Sequence, residues 1–354
     1  MDSSEKRNEV PSVEIEVKEE EIEKGALEIL KIIRPNWEES SITFKLLTDG
    51  ITNKLMACKP EEEADEETVL VRIYGNKTDL IIDRKAETRN ILLLNRAGLA
   101  PDLYATFRNG LAYKFLPGKT LTSDTVRNPV IYELVARQMA RLHKVQPDDG
   151  RNGSPFIWDK IRRFLDLIPD VFSDSDKQRR FSGSGFAKGI IEEELRRVKS
   201  AVETSRVPIV FAHNDLLLGN VIYNEQLCNV TFIDYEYAAL NYQPFDIANH
   251  FAEFVGLAEP LDYDSLYPDK EFQQNWIRIY LEEFTGVPPS QKDVESLYVH
   301  VNKFVLLSHL FWGVWALVQA EYSYINFDYM GYAFVRFTEY FKRKESFLNL
   351  NLPS

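Results

Sequence analysis

The sequence predicts an α+β protein of two lobes, a smaller mixed β/α lobe followed by a larger, mostly helical one. Three observations predict it. From Lys45 to Gly118 the apolar residues fall in short alternating or β-branched runs punctuated by Gly, Asn and Pro. After Gly118 they recur at helical spacing. One β-rich island, VPIVFAH, VIYN and NVTFIDYEY, interrupts those helices. The 354 residues, 44% hydrophobic and 27% charged, supply core for two such lobes and exclude a disordered, collagenous or disulfide-stapled chain.

Residues 1–18 are Glu-rich and lack aromatics, so a disordered acidic tail is expected there. Residues 19–118 form the first lobe. A helix should run from about Glu19 to Ile33, where Pro35 stops it, with Ile22, Leu27, Leu30 and Ile33 on one face. KLLTDGITNKLMAC reads as two strands around a Gly turn, and TVLVRIYG as a strong β-branched strand. The acidic run KPEEEADEE between them suits a solvated hairpin loop better than a partner-binding patch. LIIDRKAETRNILLLNRAG passes into a helix ending at Gly98, and Asn109-Gly110 turns LYATF into LAYKFLPG.

Residues 119–354 form the helical lobe. Asn128-Pro129 reads as an N-cap and first helical residue. That helix runs to His143, with further helices at Ile157–Ile168, Gly189–Glu203, Lys270–Phe284, Asp293–Glu321 and Tyr329–Phe347. A two-lobed α+β chain places a cleft between its lobes, a common seat for ligands.

Lys plus Arg is 42 and Asp plus Glu 55, a net charge of −13, which gives no footprint for nucleic acid or anionic lipid and suits a cationic small molecule. Cys58 and Cys228 are the two cysteines and form no C-x-x-C pair, so a structural zinc site is not expected and a reducing compartment is. The N-terminus has no apolar leader. Phe304–Val318, the longest apolar stretch, reads as too short for a bilayer and as a buried helix. A cytoplasmic protein without integral membrane association is expected.

The stretch HNDLLLGNVIYNEQLCNVTFIDYEY carries the chemistry. One strand ends at His213, followed by Asp215 and, five residues on, Asn220; a second strand ends at Asp234. Adjacent strand ends can bring Asp215, Asn220 and Asp234 to one edge, as metal-assisted phosphoryl transfer requires. H-x-D-x-x-x-x-N matches the catalytic loop of kinases, and IDYEY takes the place of their metal-binding Asp. The plainer reading is a set of polar turn residues, which the combination of both motifs outweighs.

With these motifs the chain resembles the choline/ethanolamine kinases, within the protein-kinase-like fold, from about Asp49 to Phe341. VLVRIYGNKT, IDYEYAALNYQPFDIANHFAEF and HLFWGVWALVQ are similar to family signatures. RIYGNKTDLIIDR and EFVGLAEPLDYDSLYPD are similar to the ethanolamine-phosphorylating branch, and Phe254 stands where choline kinases typically carry Trp. The resemblance implies that Asp215 is the base for the substrate hydroxyl and that Asn220 and Asp234 hold Mg²⁺. It implies a phosphate-covering turn at Asp49–Asn53, including Gly50, Thr52 and Asn53, although one Gly alone is a poor signal. Arg72 stands where kinases place their strand Lys and would pair with the ATP phosphates. Glu87 either orients Arg72 or is an exposed helix carboxylate. Lys114 and Phe115, at the start of the connector Lys114–Gly118, would read the adenine with backbone groups.

An amino-alcohol ammonium can be held by aromatic faces, each worth roughly 0.5–2 kcal/mol, and by carboxylates. Trp312 and Trp315, spaced i, i+3, share a helix face. On spacing alone they are core; the resemblance makes them pocket walls, joined by Tyr237 and Tyr329. Glu236 and Glu253 would add negative charge. Asp246 would cap a helix or buttress the catalytic loop; His213 would orient rather than act as base. His250 and His309 read as core, while His143 and His300 carry no signal.

The expected activity is ATP- and Mg²⁺-dependent phosphorylation of the ethanolamine hydroxyl to phosphoethanolamine, toward phosphatidylethanolamine. A choline or dual-specificity kinase, a catalytically silent kinase-like binding module and an aminoglycoside-type phosphotransferase remain open. A homodimer is left open as well.

Overall fold

The computed structural model describes residues 10–18, 20–47, 53–75, 82–147, 153–203, 206–257 and 260–353. It divides into two compact units, Met1–Gly118 and Lys119–Ser354.

The first unit contains β1 (Ser12–Val13), α1 (Ile22–Ile33), β2 (Ile42–Leu47), β3 (Asn53–Pro60), β4 (Val69–Tyr74), α2 (Arg84–Arg96), β5 (Leu103–Phe107) and β6 (Gly110–Lys114). They build a six-stranded sheet in the order β1-β5-β6-β4-β3-β2. β4 is central and buried on both faces, which is why its β-branched run has no polar alternation. The acidic run joins β3 to β4 as an exposed hairpin connection. Gly110 is obligatory at its turn: a Cβ there would lie 2.1 Å from the Arg72 carbonyl oxygen. α2 is capped by Asp83, which accepts from the Ala86 N–H, and is followed by Gly98 at φ +72°. α1 buries Ala26, Ile29 and Leu30 in a core with Met56, Cys58, Val69 and Val71.

The expected disordered tail is corrected over residues 10–18. β1 adds a parallel strand to β5, pairing Ser12 with Thr106 and Val13 with Phe107. Asn109 locks the segment, accepting from the Val17 N–H at 2.9 Å and donating to the Val17 carbonyl at 2.8 Å. Composition hid a period-two pattern, Val13-Glu14-Ile15-Glu16-Val17, whose two valines are buried. α1 correspondingly begins at Ile22 rather than near Glu19.

The second unit contains β7 (Lys119–Thr120), α3 (Pro129–His143), α4 (Ile157–Leu167), α5 (Ser175–Gly183), α6 (Lys188–Glu203), β8 (Ile209–Ala212), β9 (Val221–Asn224), β10 (Asn229–Phe232), β11 (Ala239–Tyr242) and α7 (Gln243–Ala252). α8 (Tyr263–Leu266), α9 (Lys270–Thr285), α10 (Gln291–Tyr322) and α11 (Tyr329–Leu348) complete it. Asn128 caps α3 as its sequence predicts, accepting from the Val130 N–H. β10-β9-β7 form one small sheet and β11-β8 another. α10, closed at its start by a Ser290–Asp293 capping box, packs against α4, α6, α7, α9 and α11. The stretch Phe304–Val318 lies inside this 32-residue helix, which is long and apolar enough by composition to cross a membrane, yet 94% of its 18-residue apolar window is buried inside the protein, as the buried-helix reading expects. It is the core helix of the unit.

Three helices escape the apolar-period reading; the four residues of α8 are too few to show a period, and the other two escape for opposite reasons. α5 buries no residue, so SDKQRRFSG shows no stripe. All ten residues of α7 are buried, so it has no polar face to define one.

Candidate active site

The motif strands converge through a left-handed turn and two hydrogen bonds. β8 ends at Ala212, and Asn214 turns the chain in the left-handed region at φ +67°. The Asn220 side chain donates to the Asp215 carbonyl at 2.8 Å, and the Ile233 N–H donates to the Asn220 carbonyl at 3.0 Å. Asp234 then adopts φ +64°, ψ +67°, a conformation that non-glycine residues seldom hold outside constrained sites. His213 joins both motifs. Its Nε2 bonds the Ile233 carbonyl at 2.9 Å and must carry the proton, so Nδ1 accepts from the Asp215 N–H at 3.3 Å. This is the orienting role expected of it; burial holds its pKa below the usual histidine range despite the charge of Asp246.

Asp246 buttresses the loop and does not cap α7. Its Oδ2 accepts from the His213 N–H at 2.8 Å and its Oδ1 from the Asn214 N–H at 2.7 Å. His143, which carries no signal in the sequence, lies 2.9 Å from Asp246 Oδ2 and 2.6 Å from the Tyr280 hydroxyl. Burial pushes the Asp246 carboxyl up, but the hydrogen bond and charge of His143 outweigh it and hold the pKa below the usual range. Asp215 goes the other way. Burial first, then the charges of Asp234, Glu236 and Glu253, raise its pKa well above the usual carboxylate range. Asp215, Asp234 and Glu236 thus gather negative charge at one edge, the kind of site a divalent cation takes. The site's hard oxygen donors fit a divalent metal: Asn220 binds the Asp215 carbonyl through its amide nitrogen, which turns its donor end, not its oxygen, to the loop.

The four expected aromatics come together. Tyr237 packs edge-on against Trp312 with ring centroids 5.4 Å apart, Trp312 against Trp315 at 5.4 Å, and Trp315 against Tyr329 at 5.7 Å. Trp315 Nε1 donates to the Tyr237 hydroxyl at 2.9 Å, while Phe327 packs on Tyr329 at 4.9 Å. Glu253 differs from expectation. Its Oε1 accepts from Arg336 Nη1 at 2.6 Å, so its charge is countered inside the protein by an arginine that the sequence reading missed. Arg336 sits mid-helix in α11, and its ion-pair partner Glu253 lies 83 residues away in the sequence.

In the first unit, Glu87 is fully buried and accepts from Arg72 Nη2 at 2.5 Å and Arg84 Nη1 at 3.1 Å. It is therefore not an exposed helix carboxylate. The Lys114 and Phe115 N–H groups are already committed, to the carbonyls of Asp102 and Thr68. Gly50 and Thr52 lie outside the described residues, and Asn53 opens β3 opposite Tyr74.

The profile of the Choline/ethanolamine kinase family matches residues 44–341. A Drosophila melanogaster protein named ethanolamine kinase is 45% identical across 99% of this chain and 82% of its own length. Human ethanolamine kinase 1 is 44% identical across 98% of this chain and 77% of its own. Among solved structures, a Plasmodium vivax ethanolamine kinase superposes with a TM-score of 0.80 at 26% identity, covering 91% of this chain and 89% of that one. A choline kinase from Cryptosporidium parvum gives 0.76 at 26% identity, covering 92% and 96%. These neighbours carry the protein-kinase-like fold, as expected for the α+β chain. By family profile and by full-length identity, the chain belongs to the choline/ethanolamine kinases.

Proposed function

We propose that this protein transfers the γ-phosphoryl group of ATP to the hydroxyl of ethanolamine, giving phosphoethanolamine and ADP, with Mg²⁺ as the divalent ion. The observation that carries the reading is the run of rings Tyr237–Trp312–Trp315–Tyr329 beginning three residues after Asp234, in the same unit as the catalytic-loop residues. An ammonium against those rings would present its hydroxyl toward the carboxylates. Asp215 accepts the hydroxyl proton as the oxygen bonds to the γ-phosphorus and the bond to the β–γ bridging oxygen breaks. Asn220 and Asp234 would hold the divalent ion, which when bound neutralises phosphate charge. Arg72, braced by Glu87, pairs with the nucleotide phosphates.

The choice of ethanolamine over choline rests on the relatives at 44–45% identity, which carry that name. Glu253 contributes less to that choice than its sequence position suggests, because Arg336 already engages it. We place the reaction in the cytoplasm. Phosphorus NMR of ATP, Mg²⁺ and ethanolamine with the purified protein tests the reading. A new phosphomonoester signal that Asp215→Ala abolishes supports it; ATP loss without such a signal, or full activity in Asp215→Ala, contradicts it.

A further inference from the structure

Arg336 is fully buried on α11, and its hydrogen bonds lead to the aromatic wall. Nη1 donates to Glu253 Oε1 at 2.6 Å, to the Tyr263 hydroxyl at 3.1 Å and to the Tyr332 hydroxyl at 3.3 Å. Nη2 donates to Ser308 Oγ at 3.0 Å. Ser308 Oγ donates onward to Asn249 Oδ1 at 2.8 Å, and the same oxygen accepts from Trp312 Nε1 at 2.6 Å.

Chemistry dictates the direction of every bond. A guanidinium and an indole N–H only donate. Ser308 must therefore accept from Arg336 and spend its one proton on Asn249, and the Asn249 atom facing Trp312 must be its oxygen. Asn249 Nδ2 has no partner among the described residues, so the amide is held by its oxygen end. The relay thus leaves α11, crosses α10 and α7, and returns to α10 at the indole.

We infer that Arg336 is the positioning residue of the amino-alcohol pocket, fixing the Trp312 indole through Ser308 and Asn249 while holding Glu253 in an ion pair. The inference rests on the functional reading above. Arg336 acts through Trp312, whose ring lies edge-on to both Tyr237 and Trp315. Cation–π attraction depends on where the ring face sits, so an indole released from Asn249 weakens capture of the amino alcohol and leaves the nucleotide untouched. Glu253 has the complementary task. An unpaired buried guanidinium beside the pocket would repel an ammonium, and the ion pair cancels that field.

Two substitutions cut the relay at different points. Arg336→Lys keeps a cation for Glu253 but loses the second nitrogen that reaches Ser308; Ser308→Ala removes the middle link and keeps the ion pair. Each is expected to raise KM for ethanolamine about five- to twentyfold and to leave KM for ATP within about twofold. The double variant should be no worse than the worse single, because both interrupt one path. Parallel rises in both KM values, or additive losses in the double variant, would mean plain packing and overturn the inference. If Arg336→Lys does not fold, calorimetry on Ser308→Ala decides: weakened ethanolamine binding with unchanged ATP binding supports the relay, and unchanged ethanolamine binding overturns it. An active wild type with an unaffected Ser308→Ala sinks this inference alone. A wild type that neither binds nor phosphorylates an amino alcohol sinks the functional reading and the inference together.

Discussion

The side chain of Asn220 donates to the main-chain carbonyl of Asp215 at 2.8 Å, so the two residues of the motif hold each other in place. In the proposed mechanism one group serves two ends: an amide proton sets the loop, and the amide oxygen would face the cation. Asn220→Ala loses both. It should lower turnover about a hundredfold or more and raise the Mg²⁺ concentration needed for half-maximal rate. The lost hydrogen bond costs about 1 kcal/mol of stability, so the variant stays folded. A near-normal rate at ordinary Mg²⁺ would contradict the shared role.

Glu87 counters two guanidiniums while fully buried. Glu87→Gln keeps its shape and removes its charge, so Arg72 loses its brace. KM for ATP should rise several-fold while KM for ethanolamine stays flat, as steady-state kinetics with each substrate varied would reveal. Glu87→Ala should instead destabilise the first unit by about 3–5 kcal/mol, since a buried charge pair is broken on one side. Denaturant unfolding distinguishes the two.

Trp315 supplies both a ring face and an N–H to the Tyr237 hydroxyl. Trp315→Ala should raise KM for the amino alcohol roughly three- to thirtyfold, the equivalent of one cation–π contact, with little change for ATP. Trp315→Phe keeps a face and should recover part of the loss. Equal effects on both substrates would return Trp315 to the core.

His250 is fully buried, donates from Nδ1 to the Leu216 carbonyl at 3.0 Å, and burial lowers its pKa to about 4. A depressed histidine pKa means the unfolded chain binds the proton first. Stability is therefore complete above the unfolded value near 6.5 and falls as pH drops toward about 4, by about 3 kcal/mol for this group. His250→Asn should flatten the decline between those two pH values in urea titrations. An unchanged slope would assign the acid sensitivity to other groups.

The parts of the site legible in the sequence are those written locally. Asp215, Asn220 and Asp234 stand out because one strand–turn–strand carries them; helical spacing puts Trp312 and Trp315 on one face, but it is the family resemblance that separates them from core. Arg336, Ser308 and Asn249 do not, since the bonds joining them to one another span 28 and 59 residues of sequence, the bond from Arg336 to Glu253 spans 83, and each type alone is common. His143 looked idle for the same reason: its partners Asp246 and Tyr280 are 103 and 137 residues away. In the fold, the segment of β1 and Val17 was obscured by the glutamates between Val13 and Val17, and α5 by having nothing to bury.

The most direct measurement compares initial rates of ATP-dependent phosphorylation of ethanolamine and choline at matched, sub-saturating concentrations with Mg²⁺. The account predicts rapid formation of phosphoethanolamine and a kcat/KM for choline at least about tenfold lower. Equal rates would retain the kinase and remove its preference for the primary ammonium. No transfer to either acceptor would contradict the central claim.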